Sequence, residues 1–143
     1  LGCSVVTGLG AATHAADIGL GDTVVVIGCG GVGLNVLQGA RLAGAGMTIA
    51  VDVQESKSSL ARVFGADEFV AAGAENTVAA VRELLPGGAD HVFEVVGTAG
   101  TAAQAVAMTA KAGTTYLVGM AKPAVQYSFD ATDLINSGRT IRA

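Results

Sequence analysis

The stretch TVVVIGCGGVGLNVLQGARLAGA, residues 23–45, constrains the fold more than any other part of the chain. Thr23–Ile27 is a short, unbroken β-branched run, the signature of a strand buried on both faces. Gly28–Gly33 follows at once. A helix is then expected to about Ala43, with Val32, Val36, Leu37 and Ala40 on its buried face and Asn35, Gln38 and Arg41 away from it. Gly44 and Gly46 end it. A strand that runs through a glycine turn into a helix is the first half of a β-α-β unit. Such units place helices on both faces of a parallel sheet.

The rest of the chain repeats the alternation. Strands are expected at Thr48–Asp52, Glu68–Ala71, Asp90–Val96, Thr114–Gly119 and Thr140–Ala143. Helices are expected at Glu55–Phe64 (Leu60, Ala61 and Phe64 inward), Thr77–Leu85, Thr98–Ala112 and Asp130–Asn136. An Ala-rich helix, about Val5–Ile18, precedes the first strand. Right-handed crossovers leave few topologies. The glycine-rich first turn selects a doubly wound α/β sheet of the Rossmann type, strand order 3-2-1-4-5-6.

Gly28–Gly33 reads GCGGVG and fits G-x-G-x-x-G. A chain with 21 glycines matches short glycine patterns by chance; here the context adds weight, because the motif leaves a strand and opens a helix. Gly28 permits the tight turn, Gly30 lets a pyrophosphate approach the backbone, and Gly33 lets the helix pack on the strand. The free amides at the helix start then face the phosphates, and Gly31, inside the motif, counts among the cofactor-binding residues. Asp52 follows 19 residues after Gly33, at the end of the second strand. An acid there accepts hydrogen bonds from the adenosine ribose and repels a 2′-phosphate, which favours NAD over NADP.

Composition narrows the partners. The 143 residues make one domain, with 14% charged residues against roughly 25% in an average protein. The net charge is −4 and no Lys/Arg cluster exists, which argues against nucleic acid and anionic membranes as partners. No apolar run is long enough to span a bilayer. Two cysteines, Cys3 and Cys29, make no disulfide framework and suit a reducing, cytoplasmic setting. Glu94 stands inside an otherwise apolar strand and, if buried, should have a hydrogen-bond partner. His14 and His91 read as structural histidines, and Cys29 as a small buried hydrophobe.

The stretches LGCSVVTGLGAA, GDTVVVIGCGGVGLNVLQGARLAGA, IAVDVQESKSSLARVFGADEFV, GGADHVFEVVG and YLVGM together resemble the coenzyme-binding domain of the zinc-dependent alcohol dehydrogenases, within the medium-chain dehydrogenase/reductase superfamily. The resemblance runs along nearly the whole chain. It implies that residues 1–143 are an NAD(P)-binding domain cut from a longer enzyme whose catalytic zinc domain is absent. Cys3, in the LGC stretch, matches a ligand of the catalytic zinc. Thr7 matches a threonine near the nicotinamide ring, or bonds its own helix backbone. Lys57 either reaches the adenosine ribose or is a solvated helix lysine. Val96 and Gly97 match the lip of the adenosine side; Val118, Gly119 and Met120 match the nicotinamide floor; Val32 backs that ring. For the valines, plain core packing is an equal reading. No catalytic residue of the family falls in this chain.

The implied reaction is hydride transfer between a small alcohol and NAD⁺, giving an aldehyde or ketone, with zinc as the second cofactor. The resemblance also implies a homodimer or homotetramer, with Val125–Phe129 or the last strand as an interface. Two alternatives stand beside it: a zinc-free, quinone reductase-like NADPH enzyme, and a non-catalytic dinucleotide-sensing module. Cys3 and Asp52 speak against the first.

Overall fold

The computed structural model describes residues 2–73 and 76–143. Leu1, part of the LGC stretch, lies outside them. Helix α1 (Gly2–Gly10) continues into a π-helical turn, Ala11–Ala15. Then follow β1 (Thr23–Ile27), α2 (Gly31–Ala43), β2 (Met47–Asp52), a 3₁₀ turn (Glu55–Lys57), α3 (Ser58–Val63), β3 (Glu68–Ala71) and α4 (Thr77–Leu84). The second half comprises β4 (Ala89–Glu94), α5 (Ala99–Met108), β5 (Thr109–Leu117), α6 (Ala131–Ser137) and β6 (Thr140–Arg142).

The described strands form one parallel sheet in the order β3-β2-β1-β4-β5-β6, the order expected from the sequence. On β1, Val24 and Val26 point to one face, into a core with Ala12, Val36, Leu37 and Phe93. Val25 and Ile27 point to the other, into a core with Ile49, Val51, Val92 and Met108. Each such side chain, fully buried, contributes about 1.5–3 kcal/mol relative to exposure. That two-sided burial explains why β1 carries no alternation of polar and apolar residues.

Several expectations need correction. The helix after β4 stops at Met108, not Ala112. Thr109 is buried, and its hydroxyl bonds the Ala105 carbonyl and Thr115. The chain therefore turns into the sheet early, pairing Thr109 with Ala89 before a register shift. Ala112 takes a left-handed conformation in that bulge (φ 63°). Strand β4 ends at Glu94 rather than Val96, because the Glu94 side chain draws the Val96 and Gly97 amides out of the ladder. Strand β5 ends at Leu117; Val118 and Gly119 both turn their amides onto the Glu94 carbonyl.

Asn35 does not face away from the core. It is 8% exposed, donates to the Gly31 carbonyl, and lies under α1. A Cβ on Gly8 would come 2.5 Å from the Asn35 Cβ, and one on Gly39 would come 2.8 Å from the Ala12 Cβ. Small residues thus bring α1 and the π turn onto α2, the face where periodicity alone sees only solvent. Leu60 is 48% exposed, so only Ala61 of that helix is fully inward.

His91 is structural, as expected. Its Nε2 lies 2.8 Å from Asp22 Oδ2 and its Nδ1 2.8 Å from the Tyr116 hydroxyl. The Nε2–H tautomer satisfies both: it donates to Asp22 and accepts from Tyr116. Burial pushes the Tyr116 hydroxyl up, keeping it a donor. The His91 hydrogen bond holds the Asp22 carboxyl below its ordinary value, despite opposition from burial. A carboxyl depressed in the folded state stabilises above the unfolded value and loses that contribution as pH falls through the folded one. Asp22→Asn is therefore expected to lower stability near neutrality by ~1–2 kcal/mol. Urea midpoints should show the gap between wild type and variant closing as the pH falls below the ordinary aspartate value of about 3.9. A gap unchanged in acid would contradict this.

Candidate functional site

Two clefts open at the carboxyl ends of the strands, one on each side of the β1–α2 turn. This is the switch point, where β1 connects outward to β2 and the chain later returns at β4. The first, about 340 Å³, is lined by Gly28, Asp52, Val53, Thr77, Val96 and Thr101 among others. The second, about 460 Å³, is lined by Cys3, Thr7, Gly30, Val32, Gly119 and Met120 among others. Each falls within the range of small-molecule sites.

The glycine turn between them is built as its spacing implies. Gly28 has φ 104°, a conformation that side chains resist. A Cβ on Gly33 would sit inside the Gly28 carbonyl oxygen, so α2 packs on the end of β1 only with glycine there. Gly30 meets nothing within 4 Å where its Cβ would be, leaving open space above the start of α2. The first intrahelical bond is Leu34 N–H to the Gly30 carbonyl. The amides of Gly31, Val32 and Gly33 precede it, and a helix start leaves such donors free for an anion.

Asp52 lies at the floor of the first cleft, 8% exposed. Its Oδ2 accepts the Cys29 amide and its Oδ1 the Gln54 amide, both at 2.8 Å. Two backbone donors fix the carboxylate while each oxygen keeps acceptor capacity. Lys57 Nζ stands 3.7 Å from Asp52 Oδ2. Cys29 itself is buried; burial first, then the Asp52 charge, pushes its thiol up to about 12. It serves through its backbone amide.

Cys3 is exposed, with Sγ 3.9 Å from the Thr7 hydroxyl, one helical turn on. Val32, half-buried, faces the same cleft, opposite Val118, Gly119 and Met120. Val96 lines the first cleft while its neighbour Val95 lines the second. Gly97 (φ 92°) is buried behind them, and a Cβ on it would meet the Met120 carbonyl at 2.6 Å. The structure thus gathers the singled-out residues around the two clefts. Lys57 joins through Asp52, and Gly97 stands behind the wall.

Several cleft residues escape sequence reasoning: Ser4, Val53, Ala72, Thr77, Thr101 and Gln104. Val53 had a signal, as the residue after the strand-end acid. The others come from α1, α4 and α5 and the loop after β3, and no spacing in the sequence links them to the turn.

The two clefts fit the halves of a dinucleotide: open backbone for a pyrophosphate in the middle, an anchored carboxylate for ribose hydroxyls on one side. The fit to zinc is narrower. Among the described residues, no three His, Cys, Asp or Glu side chains cluster as metal ligands. Cys3 offers one thiol.

The family model described as zinc-binding dehydrogenase matches residues 31–143. Alcohol dehydrogenase-like 2 of Arabidopsis thaliana is 42% identical over 145 residues, covering 99% of this chain and 37% of that protein. The S-(hydroxymethyl)glutathione dehydrogenase of Paracoccus denitrificans is 38% identical over 136 residues, covering 90% of this chain and 36% of its own length. Among solved structures, benzyl alcohol dehydrogenase from Acinetobacter calcoaceticus superposes with a TM-score of 0.94 at 33% identity, over 99% of this chain and 39% of its own. A zinc-binding dehydrogenase from Sinorhizobium meliloti, bound to NADP, gives 0.91 at 29% identity over 98% of this chain and 42% of its own. The chain therefore spans little more than a third of the curated relatives it matches.

Proposed function

The chain belongs to the zinc-binding dehydrogenase family, and from that premise we propose that it is the NAD-binding domain of a zinc-dependent alcohol dehydrogenase. The observation that carries the reading is the pair of clefts joined across one glycine turn, with Asp52 in one and Cys3 in the other.

In this reading the amides of Gly31, Val32 and Gly33 hold the pyrophosphate over Gly30. Asp52 accepts the adenosine ribose hydroxyls, and Lys57 sits beside the same sugar. Val96 packs on the adenosine side. Val32 and the segment Val118–Met120 enclose the nicotinamide, with Thr7 on the open side. The bound NAD⁺ supplies the acceptor for the hydride of an alcohol. Cys3 would contribute one thiolate to a zinc ion, which, when bound, polarises the alcohol oxygen; its other protein ligands come from residues outside this chain. What this chain does is bind, orient and exclude water.

NAD rather than NADP rests on Asp52, whose charge opposes a 2′-phosphate. The zinc-free, quinone reductase-like alternative is not favoured, given relatives named as alcohol dehydrogenases. Substrates of the small alcohol and aldehyde class belong to the same proposal, as does assembly into a homo-oligomer. Among the described residues, strand β6 pairs with β5 alone, and its other edge is one that a second copy could extend. No helix is long and apolar enough to cross a membrane among the described residues; the two free cysteines agree with a cytoplasmic setting.

The test is calorimetric titration of the folded chain with NADH and, separately, NADPH. Tighter binding of NADH supports the reading. Equal or tighter binding of NADPH refutes the NAD assignment and returns the quinone reductase-like alternative.

A further inference from the structure

Glu94 is the acid that the site as described leaves without a task. It ends β4, between Ile27 of β1 and Leu117 of β5, and is fully buried. One carboxylate oxygen, Oε1, accepts three hydrogen bonds: Val96 N–H at 2.7 Å, Gly97 N–H at 2.7 Å and the Thr101 hydroxyl at 2.9 Å. The other, Oε2, is buried and has no partner among the described residues. The Glu94 main-chain carbonyl accepts the Val118 and Gly119 amides, both at 2.9 Å.

These contacts fall on two segments with different places in the site. Val96 and Thr101 line the first cleft; Val118 and Gly119 line the second. The segments touch: a Cβ on Gly119 would collide with the backbone of Val96 and Gly97. Thr101 also closes a capping box with Thr98 at the start of α5. Its hydroxyl, receiving the Thr98 hydroxyl hydrogen, can pass its own to Glu94. A buried carboxylate with one unsatisfied oxygen is a poor choice for strand stability. Its strand neighbours Val92 and Phe93 are apolar, as that position in a sheet demands. A local rule broken in a core next to a binding site points to a site requirement.

We infer that Glu94 is a positioning residue for the dinucleotide site: through Oε1 it fixes the Val96–Gly97 part of the wall between the two clefts, while its carbonyl holds the facing Val118–Gly119 segment. This rests on the dinucleotide reading above. The wall serves both halves of the ligand, so loosening it should weaken a whole dinucleotide more than a mononucleotide that fills one cleft.

The experiment compares NADH and AMP binding to the wild-type chain and Glu94→Gln, by calorimetry well below both melting temperatures. The neutral amide is a weaker acceptor for the wall amides and adds buried donors beside Oε1. The expected loss is about 10-fold for NADH, the worth of one good hydrogen bond, and about 3-fold for AMP. Thr101→Val keeps the size of the side chain and removes the hydroxyl donor to Glu94 together with its capping-box bonds to Thr98, while leaving the Glu94 bonds to Val96 and Gly97 in place. It should shift the ratio of NADH to AMP affinity in the same direction, and it decides the matter if Glu94→Gln does not fold. Amide hydrogen exchange at Val96 and Gly97 should be faster in Glu94→Gln without ligand. A folded variant with lower melting temperature but unchanged NADH affinity makes Glu94 merely structural and overturns the inference. Equal losses for AMP and NADH overturn it as well, since they confine Glu94 to the first cleft. A wild-type chain that binds neither ligand sinks the dinucleotide reading and this inference with it.

Discussion

A methyl group added at Gly33 is expected to collapse the stability of the domain, while one added at Gly30 leaves stability nearly unchanged and removes dinucleotide binding. The two glycines stand three residues apart in one motif, yet their surroundings differ. At Gly33 the new Cβ meets the Gly28 carbonyl, a backbone atom that cannot rotate away. Relief requires α2 to lift off β1, between the core that Val36, Leu37 and Ala40 share with Val24 and Val26. Overpacking of side chains alone costs typically 1–3 kcal/mol, and a backbone collision in a close-packed interior should exceed about 3 kcal/mol. For a domain of this size that lowers the melting temperature by roughly 10 °C or more. At Gly30 the Cβ enters open space, and the backbone (φ −80°, ψ −166°) suits alanine. The weaker helix cap costs less than about 1 kcal/mol, and the stiffer unfolded chain offsets part of it. The methyl then occupies the room proposed for the pyrophosphate, and NADH affinity should fall about 100-fold, the equivalent of about 3 kcal/mol of overpacking at a close contact. Melting curves and NADH titrations on both variants check this. Equal stability for the two, or NADH binding retained by Gly30→Ala, would contradict it.

Asp52→Ala should invert cofactor preference. Two ribose hydroxyls donating to an anchored carboxylate are worth about 1.5–3 kcal/mol each, so NADH affinity should fall at least about 100-fold. NADPH should gain, because the variant removes the charge that opposes a 2′-phosphate and releases Lys57, now 3.7 Å from Asp52 Oδ2, to pair with that phosphate. Paired titrations of NADH and NADPH read the ratio directly. If both cofactors weaken in step, Asp52 acts only by holding the Cys29 and Gln54 amides.

The sheet order and the geometry of the glycine turn were legible because local rules and tertiary demands agree there. Thr23–Ile27 is apolar throughout since both faces are covered, and the glycine spacing is set by contacts within one turn. Thr109 shows where legibility ends. Helical pattern continues past it, but a buried hydroxyl pairing with Thr115 draws the chain into the sheet. Asn35 fails for a related reason: the helix that covers it arrives from a segment whose glycines show their use only in contact. Thr101 and Gln104 reach the first cleft from α5, remote in sequence from the turn they serve. Glu94 stood out as an anomaly, but its partners lie beyond the strand end, in amides that no pattern marks.

The most direct test of the central claim, that the two clefts flanking Gly28–Gly33 hold one dinucleotide, is a residue-resolved amide spectrum of the chain titrated with NADH. The account predicts large shifts at Gly31, Val32 and Gly33, at Val53 and Val96 on one side, and at Val118 and Gly119 on the other, saturating together. A separate hollow bounded by Arg41, Arg62 and residues 63–67 offers an anion another place to bind. Shifts confined to that hollow, or to one cleft alone, would contradict the claim.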